Sequence, residues 1–320
     1  MKRNINDLLI NFLLVSFLVF ILVFSDNVIN TVLYGIKIWK YNIFTSLFPF
    51  FVITDLLINY GFIDLLGELS KKVMNKLFNL PGEASFVIIA SMFSGFPSSS
   101  KYIKSLLDTK KINIKNAEYL LSFTHFPNPL FVIGIVGKTI LRNKTCGIVL
   151  YLSIIVGSFI IAMFLKDKNN KCITNSNIKE TLEKIHIKNK SNNFIKILTD
   201  SIMKTINTLL LLLGIIITFL VLTTVLSNIL NLNIYYKTII SGLLEMTSGI
   251  NNIKILSIPL VIKSSLITSF ICFGGISIHL QIMSILSEYE IHYNKYFLCR
   301  LLHAVISTCV NIILTNLFIT

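Results

Sequence analysis

The residue of most chemical consequence in this sequence is a carboxylate inside an apolar run. Glu245 follows Ser241-Gly242-Leu243-Leu244 within the stretch 237–256. An acid at membrane depth is costly unless it is paired, hydrated or protonated, so it points to ligand binding or proton transfer. Its structural alternative is a carboxylate that caps a neighbouring helix end. Asp55, beside Thr54, raises the same question nearer a membrane surface. His125 and His279 each stand beside an interrupted apolar run, where an imidazole can ligate, donate or carry a proton near neutral pH. The plainer reading of each is a satisfied structural group. Asn128 and Gln281 can both donate and accept, which suits a polar substrate as well as buried backbone. The small residues Ser94, Gly95, Pro97 and Ser98, with Gly275 and Ser277 later, complete the candidate substrate-binding set.

Hydrolytic chemistry would need a serine with a base. Ser94 precedes Gly95 as in intramembrane serine proteases, but Met92-Phe93 lack the glycine two positions ahead of the nucleophile. Neither histidine lies on a small-residue face that would meet the serine. The chain is therefore read as not an enzyme. No metal site or other cofactor is implied: the cysteines (Cys146, Cys172, Cys272, Cys299, Cys309) are odd in number and show no C-x-x-C spacing. They read as small packing residues.

These residues sit in a chain built for lipid. Of 320 residues 54% are hydrophobic and only 14% charged, with mean hydropathy +0.76. Several apolar runs approach the roughly 20 residues that cross a bilayer. The net charge of +14 comes from lysines in short loops between those runs. That pattern fits loop orientation and contact with anionic lipid, and it argues against nucleic acid, since no basic recognition helix is present.

Taken in order, Met1-Lys2-Arg3 precedes an apolar run at 8–24, read as an uncleaved signal-anchor with a cytoplasmic N-terminus. Residues 25–42 are expected as an external loop with Trp39 and Tyr41 at the interface. A span at 43–62 contains Pro49, and 65–78 is amphipathic with Lys71, Lys72 and Lys76 on its polar face. The stretch 84–107 is interrupted at Ser94-Gly95-Phe96-Pro97-Ser98 and reads as a re-entrant hairpin. Lys101 and Lys104 beyond its tip are expected to snorkel to the interface. The next run, 117–141, is broken by Thr124-His125-Phe126-Pro127-Asn128-Pro129, because two prolines so close stop a helix. A span at 147–165 follows, then a lysine- and asparagine-rich loop at 166–196, cytoplasmic by its charge.

The second half repeats this plan: a span at 205–230, a broken segment at 237–256, a span at 261–286 interrupted at Phe273-Gly274-Gly275-Ile276-Ser277, and a final span at 296–318. Thirty-four positions separate Ser94 from Asn128 and, likewise, Ser241 from Gly275. Counting crossings from an inside N-terminus puts the two hairpins on opposite sides. The expected fold is an all-α polytopic membrane protein of about seven transmembrane helices plus two re-entrant hairpins in two inverted repeats, as in alternating-access transporters. Its divisions are 1–42 (anchor and loop), 43–165 (first repeat), 166–204 (basic cytoplasmic linker) and 205–320 (second repeat). A homo-oligomer is compatible with this plan. The hairpin tips are expected to offer helix N-termini to an anionic group.

Five blocks carry a resemblance: Leu47-Phe48-Pro49-Phe50-Phe51, Ser94-Gly95-Phe96-Pro97 through Lys101, Asn128-Pro129-Leu130-Phe131-Val132-Ile133-Gly134, Ser241-Gly242-Leu243-Leu244-Glu245 through Gly249, and Phe273-Gly274-Gly275-Ile276-Ser277-Ile278-His279-Leu280-Gln281. In this order, over 47–286, the sequence resembles the YlbJ-type sporulation integral membrane proteins, whose halves resemble the nucleoside-recognition gate domains of concentrative nucleoside transporters. Two positions depart from that pattern: Ser99 stands where glycine is favoured, and Thr54-Asp55 replaces a small residue followed by Glu. The resemblance implies export of dipicolinate, a small aromatic dianion, from the mother cell across the outer forespore membrane. The architecture fits equally a permease for nucleosides or another small metabolite. A non-transporting sporulation membrane scaffold would need no polar breaks at matching positions.

Overall fold

A computed structural model describes residues 2–167, 178–190 and 193–319. All regular elements among the described residues are helices. Part of the basic central loop, including Cys172, lies outside the described residues.

Helix α1 (Lys2–Val23) fills the first apolar run, and the chain then turns through 93° into α2 (Ser25–Ile38). Here the structure departs from the expected loop at 25–42: α2 continues through a wide-turn π-helix, Trp39–Phe44, straight into α3 (Thr45–Asn59). Tertiary contact explains why. A side chain at Gly35 would come within 3.0 Å of Ile217, so that α2 lies close against a later helix. Trp39, expected as an interface anchor, donates instead to the carbonyl of Leu209 at 2.8 Å. Gly61, at φ +82°, lets the chain leave α3 and enter α4 (Phe62–Phe78) at an angle of 81°. This is the amphipathic helix read from the lysine pattern, and its first-turn Asp64 pairs with Lys111.

The two broken segments fold as antiparallel hairpins. In the first, α5 (Ala84–Ser94) and α6 (Ser98–Asp108) are held by Tyr102, whose hydroxyl donates to Ser94 Oγ at 3.1 Å and whose ring meets Phe86 edge-on at 5.5 Å. In the second, α11 (Ile234–Leu244) and α12 (Met246–Ile253) approach at Gly242 and Gly249. A Cβ on Gly249 would lie 2.3 Å from Gly242 Cα, so only glycine permits this crossing.

Each hairpin is followed by an interrupted run and a straight helix. After the first come α7 (Ile114–Phe123), a non-helical stretch at 124–128, a π-helix (Leu130–Ile140) and α8 (Lys144–Leu165). After the central α9 (Ile178–Lys190) and the 36-residue α10 (Phe194–Ile229), the second hairpin leads to α13 (Leu260–Phe273), α14 (Gly275–Ile285) and α15 (Tyr293–Phe318). Helices α8, α13 and α15 form one packed group, in which Gly157 of α8 admits Ser307 of α15.

Among the described residues, four helical lengths are long and apolar enough to cross a membrane, one of them the interrupted 260–285, and up to six if each bent pair counts as one. The expectation was about seven. The difference lies at the breaks: α7 and the π-helix after it have 10 and 11 residues, each about half of what a bilayer needs.

The Gly242–Gly249 contact gives a direct test. Gly249→Leu should destabilise the protein by about 1–3 kcal/mol through overpacking, read as a lower thermal midpoint in detergent. Gly214→Ala, where nothing lies within 4 Å of the added carbon, should leave that midpoint unchanged. Equal effects of the two would show that the hairpin crossing is not tight.

Candidate functional site

At the first tip the backbone leaves helix α5 at Gly95, with φ +81° and ψ 176°. A Cβ there would be 2.5 Å from the amide nitrogen of Asn128, so the tip rests directly on the first break. Phe96 N donates to Phe126 O at 2.8 Å and fastens the same pair. The second tip is built alike. Gly275, at φ +67°, begins the second half of the second interrupted span, and a Cβ on it would be 3.1 Å from Leu244 O and from Met246 N. Each tip therefore sits on the break that follows it by about thirty positions, as the equal spacing in the sequence suggested.

Between these paired elements lies an open cavity of about 780 Å³. Of the eleven predicted site residues, Ser94, Pro97, Asn128, Glu245 and Gln281 line it. Aromatic walls come from Phe96 and Phe131, and further polar groups from Thr247, Asn251, Tyr34 and Lys37. Asn251 Nδ2 donates to Tyr34 Oη at 2.9 Å and ties α2 to the second hairpin. Sequence reading missed Tyr34 and Lys37 because it took 25–42 for a loop.

The remaining six do not line the cavity. Gly95 and Gly275 serve the backbone contacts just described. Ser98 is fully buried in the first turn of α6, and Ser277 is buried and accepts from Gln281 Nε2 at 3.2 Å. His279 is fixed at both nitrogens, with Nε2 2.9 Å from Phe273 O and Nδ1 3.3 Å from the Tyr293 hydroxyl. His125 lies one layer behind the wall, stacked on Phe96 with ring centroids 4.3 Å apart.

Electrostatics at the tips differ from the expected pair of free helix N-termini. Glu245 is only 2% exposed, and its Oε2 accepts from Ser248 N at 2.8 Å and from Thr247 Oγ at 2.6 Å. The acid thus caps α12 itself, where a carboxylate is favoured by the helix dipole. At the first tip, Phe96 N and Ser98 N already donate to Phe126 O and Gly95 O. Among the described residues lining the cavity, Lys37 is the one base and Glu245 the one acid.

The lysines beyond the first tip are also engaged within the protein. Lys101 lies 4.2 Å from the Phe51 ring and donates to Thr205 Oγ at 3.3 Å, close to Asp55, which accepts from Ser201 at 2.6 Å. Lys104 donates to Glu288 at 2.6 Å. Beside it, outside the spans, a hydrogen bond to Asp108 pushes the Tyr289 hydroxyl up to about 12. Among the described residues, no cluster of three or more His, Cys, Asp or Glu side chains is placed to hold a metal ion.

Paired hairpins and broken helices around one cavity define a multi-pass, all-helical membrane protein. Residues 41–165 match the family model described as Gate: nucleoside recognition, a stretch that ends with α8. The chain is 29% identical over 299 residues to the sporulation integral membrane protein YlbJ of Bacillus subtilis (strain 168), covering 85% of this chain and 73% of that protein. The resemblance drawn from the five sequence blocks is thereby borne out. No solved structure matches.

The tip geometry predicts that Gly95→Ala will be poorly tolerated. An alanine at this φ and ψ, a region essentially reserved for glycine, costs roughly 1–3 kcal/mol, before the clash with the Asn128 amide. Amide exchange of Phe96 should accelerate as its bond to Phe126 O opens. Unchanged protection at Phe96 would contradict the contact.

Proposed function

We propose that this protein transports a small anionic metabolite, with dipicolinate moving from the mother cell towards the forespore across the outer forespore membrane as the specific case. What supports the reading is one observation: both hairpin tips, the first break and the helix that follows the second break border a single cavity with aromatic side chains in its wall and polar groups that are mostly amides and hydroxyls. A flat aromatic dicarboxylate can stack on Phe96 or Phe131 and take hydrogen bonds from Asn128, Gln281 and Lys37. The repeated order of hairpin, broken span and straight helix supports two inverted repeats, 43–165 and 205–320, that rock about the cavity. Residues 166–204 are then the cytoplasmic linker between them.

One observation favours a second reading, a nucleoside permease. Glu245 occupies the amide at the start of α12, so that terminus is not free for an anion, while a carboxylate at the cavity wall suits a sugar hydroxyl.

Uptake of labelled dipicolinate and labelled uridine into proteoliposomes separates the two. The anion reading expects dipicolinate uptake in the wild type. It also expects Glu245→Gln to raise dipicolinate affinity by ~10-fold as repulsion is removed, with the cap retained through the amide oxygen. The nucleoside reading expects uridine uptake that Glu245→Gln abolishes. Uptake of uridine alone would overturn the first reading; uptake of neither would favour the scaffold.

Orientation has its own test. In a variant without native cysteines, a single cysteine at Ile187 on α9 should resist an impermeant thiol reagent added to intact cells, and one at Asn231 should react. Labelling at Ile187 from outside would remove the inverted-repeat arrangement.

A further inference from the structure

A cation without an acidic partner among the described residues lies behind the cavity wall. Arg300 of α15 is 0% exposed. One guanidinium nitrogen donates to the carbonyl of Ser122, and the other donates to His303 Nδ1 at 3.1 Å. The guanidinium carbon lies 5.5 Å from the centre of the Tyr296 ring, and Nε has no partner among the described residues. Because an arginine can only donate, His303 Nδ1 must accept, which puts the imidazole proton on Nε2. That nitrogen lies 3.2 Å from the carbonyl of Ile154 and 3.0 Å from Ser158 Oγ. Every group that touches the guanidinium is therefore neutral. The acid of α7, Glu118, is one turn away from Ser122 and is already bound by Lys295 and by the His292 amide.

Ser122 belongs to the last turn of α7, where the helix leaves carbonyls unsatisfied and carries about half a negative charge. Arginine satisfies one such carbonyl but keeps the balance of its positive charge. A cation so deep in a membrane protein is costly, and such residues are functional by default. A neutral donor could have closed the same helix end.

The chain of contacts from Arg300 leads to the cavity. Tyr296 Oη lies 3.5 Å from His125 Nδ1, His125 stacks on Phe96, and Phe96 lines the cavity. His125 is 1% exposed and its Nε2 is unpartnered among the described residues. The segment that Arg300 pins continues through Phe126 and Asn128, the two residues against which the first hairpin tip rests.

We propose that Arg300 is the positioning and charge-selecting residue of this cavity: it fixes the break that supports the first tip, and its uncompensated charge makes the cavity prefer an anion to a neutral molecule of the same shape. This rests on the transport reading above and adds to Lys37 at the wall a second, buried source of positive potential to oppose Glu245. The charge acts through low-dielectric side chains without touching the substrate. Coulomb's law for a separation on the order of 10 Å and an effective dielectric constant of about 20 gives ~10-fold per unit of ligand charge, and so ~100-fold for a dianion over a neutral probe.

The test uses full-length protein in detergent and two probes of one shape, dipicolinate and its neutral diamide, with the ratio of their dissociation constants as the readout. The wild type should favour the dianion. Arg300→Gln should reduce that ratio by ~100-fold, while Arg300→Lys, which keeps the charge and loses the fork, should hold it near the wild-type value. Equal weakening of both probes in Arg300→Gln would leave only a structural role and overturn the proposal, as would an unchanged ratio. If Arg300→Gln does not fold, Arg300→Met, also neutral and of similar length, takes its place with the same two outcomes, and a large fall of the ratio in Arg300→Lys refutes charge selection. A wild type that binds both probes alike, or neither, overturns the anion reading itself and this inference with it. A wild-type preference that survives Arg300→Gln overturns only the inference.

Discussion

The structure depends on one constraint: backbone polar groups exposed by a break at membrane depth must find partners within the protein or in a water-filled cavity. The chain creates such groups in four places, at two hairpin tips and two interrupted spans, and it resolves them pairwise. The amide of Phe96 finds the carbonyl of Phe126, and Gly95 lies against the amide of Asn128. Gly275 lies against Leu244 and Met246, and the Phe273 carbonyl is taken by His279. The cavity follows from this arrangement. Breaks that face one another leave space between their ends, and the side chains on those ends become its walls.

The same constraint decides which polar side chains are structural. His279, Ser277 and Glu245 all look functional as isolated polar residues in apolar runs. His279 and Glu245 discharge an obligation of the broken backbone, and Ser277 supports Gln281. Glu245 alone among these three also lines the cavity. A residue can thus close a helix end with one oxygen and face a ligand with the rest of its carboxylate.

Much of the fold was legible in the sequence because glycine and proline punctuate it plainly. Ser94-Gly95-Phe96-Pro97, the prolines at 127 and 129, and Gly274-Gly275 stop helices for local reasons, and the structure breaks at each of them. Position 25–42 was not legible, since its helix is set by packing of Gly35 on Ile217 and by the Trp39–Leu209 bond, both nearly two hundred residues away. Tyr34 and Lys37 were lost with it. Arg300 is a different case. Its charge stands in the run Leu298-Cys299-Arg300-Leu301, a signal as clear as Glu245. It lies in an unbroken helix with no glycine or proline beside it, and attention to breaks passed over it.

Glu245 and Arg300 together define the electrostatic problem of the cavity. The acid is at the wall with Lys37, neutralised in part by the amide of Ser248 and the hydroxyl of Thr247; the buried arginine is two side chains behind the wall, neutralised in part by a helix C-terminus. Each charge is matched to a helix end of opposite polarity, which lowers the cost of holding it in the membrane. Neither is matched to the other by direct contact: the guanidinium and the carboxylate have separate partners throughout. A pair in contact would cancel and present a neutral wall to any ligand. Held apart by Phe96, His125 and Tyr296, the two charges instead leave a field across the space between them. Under the proposed transport function, that field would distinguish ligands by charge as well as by shape.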